Sequence, residues 1–192
     1  MSVNNPHIFD TGIYFITFTA SKWIPLFSEI GCYDLVYKWF DVLKSKGHSI
    51  LGYVIMPNHV HVLIGFLKNE QSINTIIGSG KRFMAYGIVS RLKEQAQTSI
   101  LKILEDGVSA YDRKKGQLHK VFEGKQDILL CHSYKFVTQK LNYIHSNPSS
   151  KKWALVANVS DYMHSSAGYY LLQRQGKYEV EHVNKWIAEN WK

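Results

Sequence analysis

The stretch from Ser49 to Phe66 limits the fold more than any other part of the chain. Ser49 to Met56 and His59 to Phe66 are both rich in β-branched and aliphatic residues, and only Pro57-Asn58 separates them. Pro-Asn is a turn signal, and a tight turn makes the two strands antiparallel. The second strand also alternates. Val60, Val62, Ile64 and Phe66 point one way and suit a core packed by helices. His59 and His61 point the other way, with their rings side by side, because the side-chain period of a strand is two.

Other segments arrange themselves around this hairpin. Ile13 to Thr19 is β-branched and aromatic and reads as the first strand. Cys32 to Lys46 carries Cys32, Leu35, Val36, Trp39, Val42 and Leu43 at helical spacing, with Gly47 as a stop. Ser72 to Leu92 reads as a second helix, weakened by Gly78, Gly80 and Gly87. Gln95 to Gly116 is polar and mixed, ending in an exposed loop at Arg113-Lys114-Lys115-Gly116. Leu118 to Phe122 reads as a fourth strand. Ser133 to Asn147 is a further helix, stopped by Pro148. Ser165 to Gly168 reads as a turn, and Val183 to Trp191 as a short terminal helix. The order strand, helix, strand, strand, helix, strand matches a ferredoxin-like α+β fold. It predicts an antiparallel sheet with helices on one face and one added helix toward the C-terminus. One domain is expected over 1–192, with a core of about 13–170 and an extension over 171–192.

Two imidazoles side by side can each give a nitrogen to one divalent ion, but such a site needs a third protein group. For an isolated His-x-His, two polar residues on a half-exposed sheet face are the commoner outcome. The helix over Ser133 to Asn147 offers what is missing. Val137, Leu141 and Ile144 form its apolar stripe, and Tyr143 lies off it. Asn147 follows Tyr143 by four residues on the same face, and Gln139 and Lys140 precede it by four and three. A free phenol titrates at about 10 and is a poor nucleophile at neutral pH. It becomes useful against a phosphodiester when a metal neutralises the phosphate oxygens. Asn147 is the candidate third ligand, and Lys140 can stabilise phosphate or phenolate charge. Against this, the chain has 12 tyrosines, most of which serve packing. Asn is also common at a helix end before proline.

Charge points to the same class of partner. Lys plus Arg is 23 and Asp plus Glu 15, a formal charge of +8, which favours polyanions and above all nucleic acid. A basic protein with no such partner has the same composition. Lys81, Arg82, Arg113, Lys114, Lys115, Lys140, Lys151 and Lys152 are the candidate phosphate contacts. Tyr and Trp beside them suit stacking on unpaired bases. No apolar run is long enough to span a bilayer, no secretory signal is visible, and two cysteines make no disulfide framework. A cytoplasmic protein without membrane contact is expected.

Tyr53-Val54-Ile55-Met56-Pro57-Asn58-His59-Val60-His61-Val62-Leu63-Ile64 resembles the His-hydrophobe-His signature of single-tyrosine transposases of small insertion sequences. Lys140-Leu141-Asn142-Tyr143-Ile144-His145-Ser146-Asn147-Pro148 resembles the tyrosine helix of their REP-associated branch. Tyr14 to Ala20 is similar to the family's first strand, and Asp161 to Tyr170 to its C-terminal Asp-Tyr and Ser-Ser signature. The resemblance implies a ferredoxin-like HUH domain, U standing for a hydrophobic residue. It implies cleavage and rejoining of single-stranded DNA, often beside a hairpin, through a tyrosine joined to the 5′ phosphate. Carried over, His59, His61 and Asn147 hold Mg²⁺ or Mn²⁺ and Tyr143 is the nucleophile. Met1 to Gly12 would lie near the foot of a hairpin. Relatives occur as monomers and as homodimers with shared sites. The chain departs from the family after Pro148, where Ser149-Ser150-Lys151-Lys152-Trp153 replaces a Val-Arg-Ala-Gly-Leu run, and at Phe122-Glu123, where Trp-Gln is usual. Two other functions fit the same residues: a catalytically silent or domesticated DNA-binding module, and a metal-dependent hydrolase that uses water.

Overall fold

The computed structural model describes residues 11–68, 71–124 and 127–191. Its elements run β1 (Gly12–Thr19), a 3₁₀ turn (Ser21–Trp23), α1 (Leu26–Glu29), α2 (Tyr33–Ser45), β2 (Ser49–Ile55), β3 (His59–Phe66) and α3 (Ile73–Glu94). They continue with α4 (Thr98–Asp106), α5 (Ala110–Lys114), β4 (Asp127–Leu130), α6 (Tyr134–Ser146), α7 (Ala167–Leu172) and α8 (Val183–Asn190). The sheet order is β2-β3-β1-β4, and every pairing is antiparallel. That is the ferredoxin-like α+β topology expected from the sequence.

β3 divides the molecule into two faces. Val60, Val62, Ile64 and Phe66 join Tyr14, Ile16 and Phe18 of β1 in one apolar cluster with residues of α2 and α3. Leu35, Val36, Trp39, Phe40 and Leu43 are the buried side of α2. Phe40 takes the place expected for Val42, which is exposed. Ser72 caps α3 by accepting from Thr75 N at 3.2 Å. The glycines that weaken α3 have a packing use. A methyl group on Gly80 would collide with the Trp39 indole, and one on Gly87 would come within 2.8 Å of Leu35 Cδ2. α2 and α3 can therefore approach closely.

The opposite face carries Ile13, Phe15, Leu51, Val54 and Leu63. Val137, Leu141 and Ile144 of α6 cover part of it, with Val183 and Trp186 of α8 beside them. Leu141 lies against Gly52 and Trp186 against Gly65, so close that a methyl group on either glycine would fall 2.5 Å from them. α6 thus lies on the face opposite to α2 and α3, with its direction fixed along the histidine-bearing side of β3.

The outer edge of β2 is closed by the segment that follows α6. Ile55 N donates to His164 O at 2.8 Å and Ser166 N to Tyr53 O at 3.0 Å. The hydroxyls of Tyr162 and Tyr170 donate to the carbonyls of Ile55 and Leu51. Unpaired edge groups would otherwise invite pairing with another chain. The Asp161 to Tyr170 motif therefore has a structural use, and Ser165 and Ser166, expected in a turn, lie against the sheet edge.

Two expectations need correction. The fourth strand is Asp127–Leu130, and Leu118 is exposed. Val121 and Phe122 instead run irregularly beside the end of β1, with Phe122 in an isolated bridge to Ala20 and its ring 5.4 Å from that of Phe18. The Gln95 to Gly116 stretch contains α4 and α5, and Arg113-Lys114 closes a helix where a loop was expected. Ser109 caps the start of α5, accepting from Asp112 N at 3.0 Å and donating to the Asp112 carboxylate at 2.6 Å. Both cysteines are free and buried. Among the described residues no helix is long and apolar enough to cross a membrane. Of the stretch Met1 to Gly12, residues 1–10 lie outside the described residues.

Candidate functional site

The alternation of β3 sends His59 and His61 to the face shared with α6. Their ring centroids lie 4.7 Å apart. Both are only 5% exposed, so the pair is buried and not on a half-exposed sheet. Each ring is oriented by a neighbour. Thr17, directly across from His61 in the β1–β3 register, places its hydroxyl 2.7 Å from His61 Nδ1. Asn58 Nδ2 donates to Trp23 O at 2.9 Å, which turns Asn58 Oδ1 toward His59 Nδ1 at 2.7 Å. His59 must then donate through Nδ1, leaving the lone pair on Nε2. Nε2 of His61 is buried without a hydrogen-bond partner among the described residues. Burial pushes the His59 imidazole down to about 4, helped by the Lys152 charge. Burial also pushes His61 down to about 3, with His59 and Lys140 adding to the effect. Both rings are neutral at pH 7, the state in which imidazole nitrogens bind a cation.

α6 brings the other groups. Ser133 caps its start, accepting from Phe136 N at 3.2 Å. Its apolar stripe turns inward, and Tyr143 stays 48% exposed on the open side. The Tyr143 ring stands edge-on to His61 with centroids 5.0 Å apart and lies 6.0 Å from Phe15. Asn147 is the first residue of the 3₁₀ turn Asn147–Ser149 that Pro148 imposes after α6. Its buried amide is in hydrogen-bonding contact with His59. Lys140, one turn before Tyr143, holds its ammonium 4.6 Å above the Phe15 ring. The third histidine nearby, His145, faces away and meets Ser166 Oγ at 2.9 Å.

These groups line one open cleft of about 1170 Å³. His59, His61, Tyr143, Asn147, Lys140 and Lys152 all face it, as do Glu123 and Asp127. Among the described residues no group of three or more His, Cys, Asp or Glu side chains could hold a metal ion. The donor set present is two imidazole nitrogens and an amide oxygen. It fits a divalent cation in one further respect: His61 Nε2 is an orphaned buried atom of the kind a cation satisfies.

The remaining expected phosphate contacts lie elsewhere or beyond the cleft lining. Lys151 is exposed next to Lys152. Lys81 donates to Glu123 O at 3.0 Å, and Arg82 is exposed beside it. Arg113 donates to Glu105 O at 2.9 Å and Lys115 lies 4.2 Å over Tyr111, with Lys114 between them on the exposed end of α5. Sequence reasoning missed Thr17, Asn58, Trp23 and Trp153. Asn58 adjoins the histidines in the chain and was legible as an Asx neighbour. Thr17 becomes visible only when the β1–β3 register is known.

No family model matches the sequence, and no curated protein matches it. Among solved structures, a REP-associated tyrosine transposase bound to a REP hairpin is similar over 95% of this chain and 99% of its own, with a TM-score of 0.62 and 15% identity. A transposase candidate from Deinococcus radiodurans aligns over 75% of this chain and 95% of its own, at 17% identity and a TM-score of 0.45. The chain has the fold of a solved REP-associated tyrosine transposase, and at this identity the likeness is one of fold.

Proposed function

We propose that this protein is an HUH-type tyrosine transposase of the REP-associated kind, which cuts and rejoins single-stranded DNA beside a hairpin. The observation that carries the reading is the convergence of His59, His61, Tyr143 and Asn147 on one cleft within a single chain. A second copy is not needed to assemble it. The fold neighbour that binds a REP hairpin supports the choice of substrate.

In this reading His59 Nε2, His61 Nε2 and the Asn147 amide oxygen would hold Mg²⁺ or Mn²⁺. When bound, the cation would supply charge neutralisation at the phosphate oxygens. Thr17 and Asn58 fix the two rings so that their lone pairs face the cleft. Tyr143 Oη attacks the phosphorus and releases its proton to solvent. The Oη–P bond forms as the P–O3′ bond breaks, and the departing 3′ oxygen takes up a proton. The strand is left with a free 3′ hydroxyl and a 5′ phosphate on Tyr143. Rejoining runs backwards: a 3′ hydroxyl attacks the phosphotyrosine, and the phenol leaves. Each step exchanges one phosphodiester for another, so no nucleotide cofactor is consumed. Lys140, within one turn of Tyr143, is placed to offset charge on phosphate or phenolate. In this reading the protein works in the cytoplasm.

The test is a labelled hairpin-bearing single strand incubated with the protein and Mn²⁺. A covalent protein–DNA band is expected, absent with EDTA and absent in Tyr143→Phe. A band that persists in Tyr143→Phe removes the nucleophile. Cleavage without any band, indifferent to that substitution, points instead to a hydrolase that uses water.

A further inference from the structure

Three side chains at the mouth of the cleft have no part in the chemistry above: Trp23, Lys152 and Trp153. Trp23 is 55% exposed although it is the largest apolar side chain available. It is also held in an unfavourable backbone. Lys22 and Trp23 both have positive φ, 53° and 59°, a conformation that costs L-residues roughly 1–2 kcal/mol each. Such strain persists only where surrounding contacts over-determine it. Here Lys22 N donates to Glu123 Oε1 at 2.8 Å, Trp23 N to Ala20 O at 3.0 Å, and Asn58 Nδ2 to Trp23 O at 2.9 Å. Asn58 is the residue that also orients His59. One amide therefore sets the position of the indole and the direction of the imidazole together.

Trp153 also neighbours the His59 ring, at 5.4 Å between centroids against 6.3 Å for Trp23. The Lys152 ammonium lies 4.7 Å from the Trp23 ring centre and 5.5 Å from that of Trp153. One cation thus lies over both indoles, while Trp153 also packs against the apolar cluster beneath α6. A face that attracts a cation also accepts a nucleobase, whose own face is free only in an unpaired strand.

We propose that Trp23 and Trp153 form a base-stacking clamp for the unpaired nucleotide next to the phosphodiester held at His59 and His61. Lys152 leaves the indoles when the base enters and pairs with the strand's phosphate. The proposal rests on the reading that the cleft takes single-stranded DNA, and it adds the feature that selects an unpaired base there. The clamp tolerates any base, because every base has a π-face. Its rigid tie through Asn58 places the stacked nucleotide at a fixed distance from the histidines.

The experiment uses the full chain in EDTA, where no chemistry competes. The probes are oligothymidylate, a strand of equal length made only of abasic sites, and a blunt duplex. Oligothymidylate is expected to quench indole emission and to bind more tightly than the abasic strand. Trp23→Ala should weaken oligothymidylate binding by about five- to a hundredfold and leave abasic-strand binding unchanged. Trp23→Phe, which keeps a ring, should recover most of the loss. The clamp is overturned if the abasic strand binds as well as oligothymidylate, if Trp23→Ala binds like the parent, or if the duplex quenches equally. The covalent-band assay reads the transesterification separately. Base-dependent quenching with no band sinks that reaction alone, and a band with no base dependence sinks the clamp alone.

Discussion

The two faces of the sheet differ in what they leave unfinished. Under α2 and α3 the side chains are mostly apolar and shut in, with Trp39 seated on Gly80 and Phe40 fully buried, and the Tyr53 hydroxyl buried among them without a hydrogen-bond partner among the described residues. Under α6 the same strand presents two imidazoles, and one of their nitrogens has no partner among the described residues. A buried polar atom left unsatisfied costs about 1–3 kcal/mol, so an apolar pair at these positions would make a more stable sheet. The first face shows what this sequence does when only packing is at stake. The second departs from that standard where the cleft opens. In the proposed function, stability belongs to one side and chemistry to the other.

The sharpest separation comes from one substitution on each face. His61→Ala should lower single-turnover cleavage on the order of a thousandfold or more, since a bound cation contributes several kcal/mol to phosphoryl transfer. Its melting temperature should stay close to the parent's. Phe40→Ala should do the reverse. It removes a ring from a closed core and costs about 3–5 kcal/mol in a denaturant titration, with cleavage per folded molecule little changed. If His61→Ala melts as early as Phe40→Ala and still cleaves, the cleft face is ordinary packing and the comparison fails.

Both faces were partly legible in the sequence, for different reasons. The β3 alternation gave the direction of every side chain from His59 to Phe66, because period two needs no knowledge of neighbours. α6 was legible from the spacing of Val137, Leu141 and Ile144, with Ser133 and Pro148 marking its ends. β4 was not. It has four residues and draws its place from pairing with β1, whereas Leu118 to Phe122 has the more strand-like composition. α4 and α5 were hidden by their polar surfaces, though Ser109 and Asp112 had the spacing of a capping box. At the site, the residues proposed to react were legible by type, and those that hold them were not. Thr17 supports His61 across a strand pair 44 residues away, and no local pattern encodes that register.

Thr17 allows a finer test of the cleft face. Thr17→Val keeps the shape and removes the hydroxyl that fixes His61. Mn²⁺ affinity, measured by calorimetry, should fall about 10- to 100-fold, the usual cost of losing such a supporting bond. Thr17→Ser should restore it. Valine binding Mn²⁺ as threonine does would mean that β3 alone sets the ring.

The smallest effect belongs to neither face but to the edge that joins them. His164 stacks on Tyr33 at 3.6 Å, meets the Tyr37 hydroxyl at 2.9 Å, and lends its carbonyl to Ile55. Tyr162 lies on another side of the ring, and the Lys177 charge acts on it as well. Burial first, and Lys177 second, push this imidazole from 6.5 down to about 4. A folded-state value below the unfolded one means that the unfolded chain binds the extra proton. The contribution is therefore complete above pH 6.5 and drains away as the pH falls toward 4. Asp34, held down to about 2 chiefly by its bond to Arg91, begins to lose its own contribution only below 3.8 and does not confuse that window. Compared with His164→Gln, which cannot titrate, the parent should lose an additional 1–2 kcal/mol or so across it, after allowance for solvent reaching the half-buried ring. Denaturant titrations of the two proteins at the ends of the window measure the difference. Parallel acid limbs would show that the ring gains a proton without loosening the β2 edge, and that the two faces are joined by the backbone bonds alone.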